Sequence, residues 1–135
     1  MKARVEHVEH TADLAFRVFA GSLGELFATT AQAMFQQLAD TTAVATTAQR
    51  HVAVEAPDRA SLLVEWLNEL LYLHEIHGEV YTAYAFDELT DQALRATVSG
   101  GKPKQVYTII KGATYHNLSV RQAPEGLVAT IVFDV

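Results

Sequence analysis

Two stretches of this 135-residue chain carry helical hydrophobic spacing, and most of the remaining apolar residues alternate with polar ones. The first stretch sets Leu23, Leu26, Phe27, Ala31, Met34, Phe35 and Leu38 three and four residues apart. Ser22-Leu23-Gly24-Glu25 precedes it in capping-box form, in which the serine hydroxyl accepts from a first-turn N–H and the glutamate reaches back. A helix is expected over residues 23–38. The second stretch places Leu62, Leu63, Trp66, Leu67, Leu70 and Leu71 on a wide stripe that should be central to the core. Asp58 suits its N-cap. His74 and His77 fall in its last turn ahead of Gly78, where the helix dipole favours a cation.

Strand signals fill the rest. Residues 4–10, 14–20 and 50–56 alternate, and further runs cover 80–86, 93–98, 106–110, 114–120 and 127–135. Gly100-Gly101, Lys111-Gly112 and Pro124-Glu125-Gly126 punctuate them. Residues 41–47, rich in Thr and Ala, read as a loop. The order is two strands, a helix, a strand, a helix and five strands. The long strand–helix alternation of doubly wound nucleotide folds is missing. The expectation is an α+β fold, with two helices packed on a mostly antiparallel β-sheet in a single compact domain over residues 1–135. Residues 127–133 are almost wholly apolar, which suits a strand covered on both faces.

Composition removes several function classes. Sixteen acidic against ten basic residues leave a formal charge of −6, a poor basis for gripping nucleic acid broadly. Lys102-Pro103-Lys104, with Lys111 nearby, is a small basic patch and reads as a solvated loop. With no cysteine, thiol catalysis, zinc–thiolate sites, iron–sulfur clusters and disulfide scaffolds are excluded. The strongly apolar stretch 62–73 carries Glu65, Asn68 and Glu69, and is too short and acidic to cross a bilayer. The first ten residues lack the basic and apolar regions of a signal peptide. A soluble cytoplasmic protein is expected.

Familiar catalytic motifs are missing: no phosphate-binding glycine loop, no Gly-x-Ser-x-Gly and no His-Glu-x-x-His. His74-Glu75-Ile76-His77 has a spacing that can bind zinc, although solvated helix-end histidines explain it more simply. Two places keep their interest. His10-Thr11-Ala12-Asp13 joins two strands and is either an ordinary turn or a polar site. Asp134 adjoins the α-carboxylate of Val135 beside an apolar strand, and two like charges so close repel unless neutralised. Solvent, a lysine or a divalent cation would each answer. Carboxylates with a main-chain oxygen form a hard-oxygen set suited to Ca²⁺ or Mg²⁺. Lys111, at a turn between apolar runs, is ordinarily a solvated charge. Tyr115 and His116 read as a strand aromatic and an edge histidine.

Several segments resemble the archease family. Glu9-His10-Thr11-Ala12-Asp13-Leu14-Ala15-Phe16-Arg17-Val18, followed by Ser22-Leu23-Gly24-Glu25-Leu26-Phe27, is similar to its opening. So is Ala33-Met34-Phe35 running on to Asp40. Leu62-Leu63-Val64-Glu65-Trp66-Leu67-Asn68-Glu69-Leu70-Leu71-Tyr72 resembles its second-helix signature. Lys111-Gly112-Ala113-Thr114-Tyr115-His116-Asn117-Leu118 and Ile131-Val132-Phe133-Asp134-Val135 complete the set, although Gly-Ala stands where a larger apolar residue is commoner.

The resemblance implies an accessory activator of an RtcB-type RNA ligase. That ligase joins 2′,3′-cyclic-phosphate or 3′-phosphate ends to 5′-hydroxyl ends in tRNA splicing and RNA repair. The activator promotes guanylylation of the ligase histidine and multiple turnover, so it would be a non-catalytic protein cofactor that meets RNA mainly through its partner. The resemblance also implies a divalent-metal site, for Ca²⁺ or Mg²⁺/Mn²⁺, at Asp13, Asp134 and the main chain of Val135. It links Asp40 and Lys111 to partner activation. Two other classes compete. A small divalent-metal-dependent phosphohydrolase could use Asp13, Asp134 and His10 to activate water. A chaperone-like protein-binding module would expose an extended apolar patch, whereas most apolar residues here fall on expected core faces.

Overall fold

Both helices form over the residues that the spacing marks. The structure, a computed structural model, describes residues 2–8 and 13–135. In chain order the elements are β1 Arg4–Val8, β2 Leu14–Ala20, α1 Leu23–Leu38, β3 Ala48–Glu55, α2 Arg59–His77, β4 Val80–Leu89, β5 Ala93–Gly101, β6 Gly112–Ala123 and β7 Gly126–Asp134. Ser22 Oγ accepts from Glu25 N–H at 3.2 Å, while Glu25 Oε1 accepts from Gly21 N–H at 2.8 Å. The glutamate thus caps one residue earlier than the reciprocal box predicts. Asp58 Oδ1 accepts from Ser61 N–H at 2.8 Å at the start of α2. Gly78 ends that helix in the left-handed region, φ 68°, and its N–H donates to His74 O at 2.7 Å. No helix among the described residues is long and apolar enough to cross a membrane.

The described strands make two sheets, with every pairing antiparallel. One has the order β1-β2-β7-β6 and the other β3-β5-β4. The α+β expectation holds, with the strands divided rather than joined. Two edge strands are irregular. β6 leaves its ladder with β7 between Thr114 and Ser119, where Asn117 adopts φ 53°. β4 shifts register against β5 between Tyr81 and Ala83 and again between Phe86 and Glu88.

The expected strand over 106–110 does not form. It makes one isolated bridge, Ala39↔Val106, so four strands follow α2 instead of five. Its composition suits a strand, but residues 104–109 are all exposed and only Ile110 is buried. A short apolar run without a face to bury or a neighbouring ladder gains little from strand geometry.

Each helix packs on a strand of each sheet: α1 on β2 and β4, α2 on β6 and β3. Trp66, Phe27, Phe35, Phe16, Phe133 and Tyr81 are essentially fully buried, and each such side chain contributes roughly 1.5–3 kcal/mol. Trp66 Nε1–H donates to Phe27 O at 3.1 Å, which satisfies its buried polar atom. Phe16 meets Phe133 edge-on with ring centroids 5.6 Å apart, joining β2 to β7. β7 is buried on both faces, as its composition predicts. In the smaller sheet Gly100 lies directly against β4. A Cβ there would stand 2.0 Å from Val80 O.

Candidate functional site

The pairing of β2 with β7 decides where the two suspect acids go. Leu14 faces Phe133 and Ala15 faces Val132. The next position of that register sets Asp13 opposite Asp134. Phe133 points into the core with no exposed surface, so alternation turns Asp134 to the other face, beside Val132 and Ala15. Asp134 and Val135 are exposed and Asp13 is half-buried. On the other flank of β7, Gly112 faces Asp134, and Lys111 N–H donates to Asp134 O at 2.8 Å. One end of the four-stranded sheet therefore gathers Asp13, Lys111, Asp134 and Val135. His10, Thr11 and Ala12 lie outside the described residues. Among the described residues no three His, Cys, Asp or Glu side chains cluster in a way that could hold a metal ion. The expected donor set asks for only two carboxylates and a main-chain oxygen.

Asp40 is held elsewhere. Just past α1, its Oδ1 accepts from Thr42 N–H at 3.0 Å and from Thr42 Oγ1 at 2.5 Å. These bonds, aided by the charge of Lys104, keep its carboxyl below the usual aspartate range. Asp40 N–H donates to Gln105 O at 2.8 Å. Asp40 thus anchors the start of the 105–111 segment, and Lys111 ends it against β7. The described contacts do not bring Asp40 and Lys111 together.

Asn68 was not singled out from sequence, yet it holds the Lys111 end. Its Oδ1 accepts from Ala113 N–H at 2.7 Å, and its Nδ2 donates to Ala113 O at 3.2 Å. The signal was present: an amide between Leu67 and Leu70, inside the buried stripe of α2. A polar group so placed needs partners.

A groove of about 650 Å³ opens between α2 and the 106–112 segment, and Lys111 and Gly112 line its end. Leu38, Leu71 and Ile110 are apolar and buried along it, whereas Tyr72, Val106 and Ile109 are exposed. Ile109 is 74% exposed and Tyr72 55%. Most apolar residues retire to core faces, as the sequence predicts, and these three are exceptions.

A second polar network also escaped the sequence. Glu79 is 7% exposed and accepts from Arg50 Nε and Nη2, each at 2.9 Å, and from Tyr81 Oη at 2.9 Å. The Arg50 hydrogen bonds hold the Glu79 carboxyl below its ordinary range, against the opposing effect of burial. His74 Nδ1 lies 2.9 Å from Glu79 O, so this helix-end histidine is tied to main chain.

Residues 5–135 match the profile of the Archease protein family (MTH1598/TM1083). The chain belongs to the archease family. The Protein archease of Methanosarcina acetivorans is 35% identical, over 98% of this chain and 96% of that one. The Pyrococcus abyssi archease is also 35% identical, over 91% and 92%. The solution structure of Methanobacterium thermoautotrophicum protein 1598 superposes with a TM-score of 0.80 at 29% identity, covering 97% of this chain and 98% of the other. A Thermotoga maritima crystal structure, described as an archease and possible chaperone, shares the fold with a TM-score of 0.71 at 20% identity, over 95% and 94%. The described parts of the archease-like segments at the acidic sheet end, on β2, β6 and β7, are thus neighbours in space.

Proposed function

We propose that this archease-family protein acts in the cytoplasm as a non-catalytic activator of an RtcB-type RNA ligase. Its acidic sheet end would dock on the ligase and promote guanylylation of the ligase histidine, sustaining multiple turnover in tRNA splicing or RNA repair. The observation that carries the reading is the β2–β7 register, with Leu14 against Phe133 and hence Asp13 against Asp134. Two carboxylates facing each other at an exposed sheet end repel unless a cation offsets them. Asp13, Asp134 and the main chain of Val135 are hard oxygen donors, a set that fits Ca²⁺, Mg²⁺ or Mn²⁺. A bound divalent ion would offset that repulsion and fix the C-terminus, leaving a metal-bearing acidic end to dock on the ligase.

Lys111, tied through its main chain to Asp134, would contribute a second charge at the same end, with Asp40 contacting the partner further along the surface. Activation requires that this surface bind the transfer-competent ligase conformation more tightly than the resting one. RNA would be met mainly through the ligase, in keeping with the formal charge of −6.

The test is a ligase guanylylation assay with Asp13→Ala and Asp134→Ala protein. Loss of stimulation with retained secondary structure supports the reading, and full stimulation by both variants refutes it. A chaperone-like binding role is the second reading, favoured by the exposed apolar groove. Suppression of aggregation of an unrelated unfolded protein, with no effect on ligase turnover, would favour that alternative.

A further inference from the structure

We propose that the exposed edge at residues 104–111 accepts an extended strand from another protein, apolar at its centre and acidic at both ends. Ala39 and Val106 face each other between two hydrogen bonds, Asp40 N–H to Gln105 O at 2.8 Å and Tyr107 N–H to Leu38 O at 2.8 Å. In that type of pair the main-chain N–H and C=O of Val106 point away from α1. Among the described residues, the N–H groups of Val106, Ile109 and Ile110 donate to no main-chain oxygen. The segment therefore offers unused ladder positions along an edge whose residues 104–109 are exposed. The groove runs alongside, so an added strand would lay alternate side chains against Tyr72, Val106 and Ile109 while pairing its main chain.

Charge selects the occupant. Lys104 and Lys111 bracket the segment, with Lys102 just before it. A second copy paired antiparallel over the whole segment would set Lys104 of each chain against Lys111 of the other. Like charges directly opposed destabilise a strand pair, and opposite charges stabilise it. A foreign strand with an acidic residue at each end, about 23 Å apart at 3.3 Å per residue, reaches both lysines, adding to the charge of Asp40 near Lys104 and of Glu75 in the groove that Lys111 lines. The inference goes beyond the ligase reading and holds whichever protein supplies the strand.

The experiment titrates the ¹⁵N-labelled full chain with a short Val/Thr peptide spanning residues 104–111 and ending in aspartates, and with the same peptide ending in lysines. The expected result is amide shifts centred on 105–111, with the lysine-ended peptide about tenfold weaker. Lys104→Glu, at an exposed position, should shrink that preference, and Ile109→Pro, which removes a ladder donor, should abolish binding, whereas Ile109→Val retains it. Equal affinity for the two peptides, binding of neither, or shifts mapping elsewhere would overturn the proposal. So would a wild-type dimer in sedimentation whose contacts fall on 105–111. A failure of the ligase assay would leave these peptide outcomes unchanged, so the two ideas are separable.

Discussion

Asn68 grips both main-chain polar groups of Ala113, accepting from the N–H at 2.7 Å and donating to the C=O at 3.2 Å. This amide joins α2 to the first residues of β6, immediately after Lys111. Asn68→Ala should leave the Ala113 groups without their partner and cost about 1–3 kcal/mol in chemical denaturation. If Lys111 acts on the ligase, the variant should also lose stimulation at temperatures where it remains folded. Asn68→Asp keeps the acceptor but loses the donor, and should fall between the two.

The opposed acids make divalent-ion binding a stability measurement. Calcium at one hundred times its dissociation constant should stabilise the wild type by about 2.7 kcal/mol, and EDTA should reverse the gain. Asp13→Asn and Asp134→Asn should each flatten that response in a thermal scan. A calcium-dependent gain that survives in both variants would place the ion elsewhere.

Acid should weaken the fold partly through Glu79. Its carboxyl titrates below the ordinary range in the folded protein because Arg50 donates to it twice. A folded-state value below the unfolded one adds stability that is complete above the unfolded value. That stability is lost as pH falls through the folded value. From about pH 5 downward the wild type should lose stability faster than Glu79→Gln. At neutral pH the variant should be the less stable of the two. Parallel pH profiles would remove Glu79 from the acid response.

Gly100 tests the tightness of the smaller sheet. A methyl there meets main chain, at 2.0 Å from Val80 O and 2.8 Å from Tyr81 Cα, and neither can swing aside like a side chain. Gly100→Ala should cost at the upper end of roughly 1–3 kcal/mol, read from urea denaturation.

Helices were legible because their signals are local. Leu23 to Leu38 and Leu62 to Leu71 declare their period, and Ser22, Asp58 and Gly78 mark ends that the structure keeps. Strand identity was mostly legible, but partnership was not. Alternation in residues 14–20 and 127–135 says that both are strands, and nothing local says that Leu14 faces Phe133. The run 106–110 shows the converse, since strand composition without a burying face makes only one bridge. Asp13 and Asp134 were noticeable as charges, while their opposition is a property of register. The Arg50–Glu79–Tyr81 network was hidden because its members meet only when β3 and β4 are assembled on β5.

The register breaks in β4 and β6 bear on how the molecule behaves in a crowded solution. Each lies on the rim of its sheet, where a regular ladder would invite another copy to stack and extend into a fibre. Interrupted in this way, the two longest rims are poor templates for self-templated growth. A variant that straightened β6 by deleting residues 115–117, the three by which its register against β7 shifts, should therefore gain a tendency to assemble into insoluble filaments.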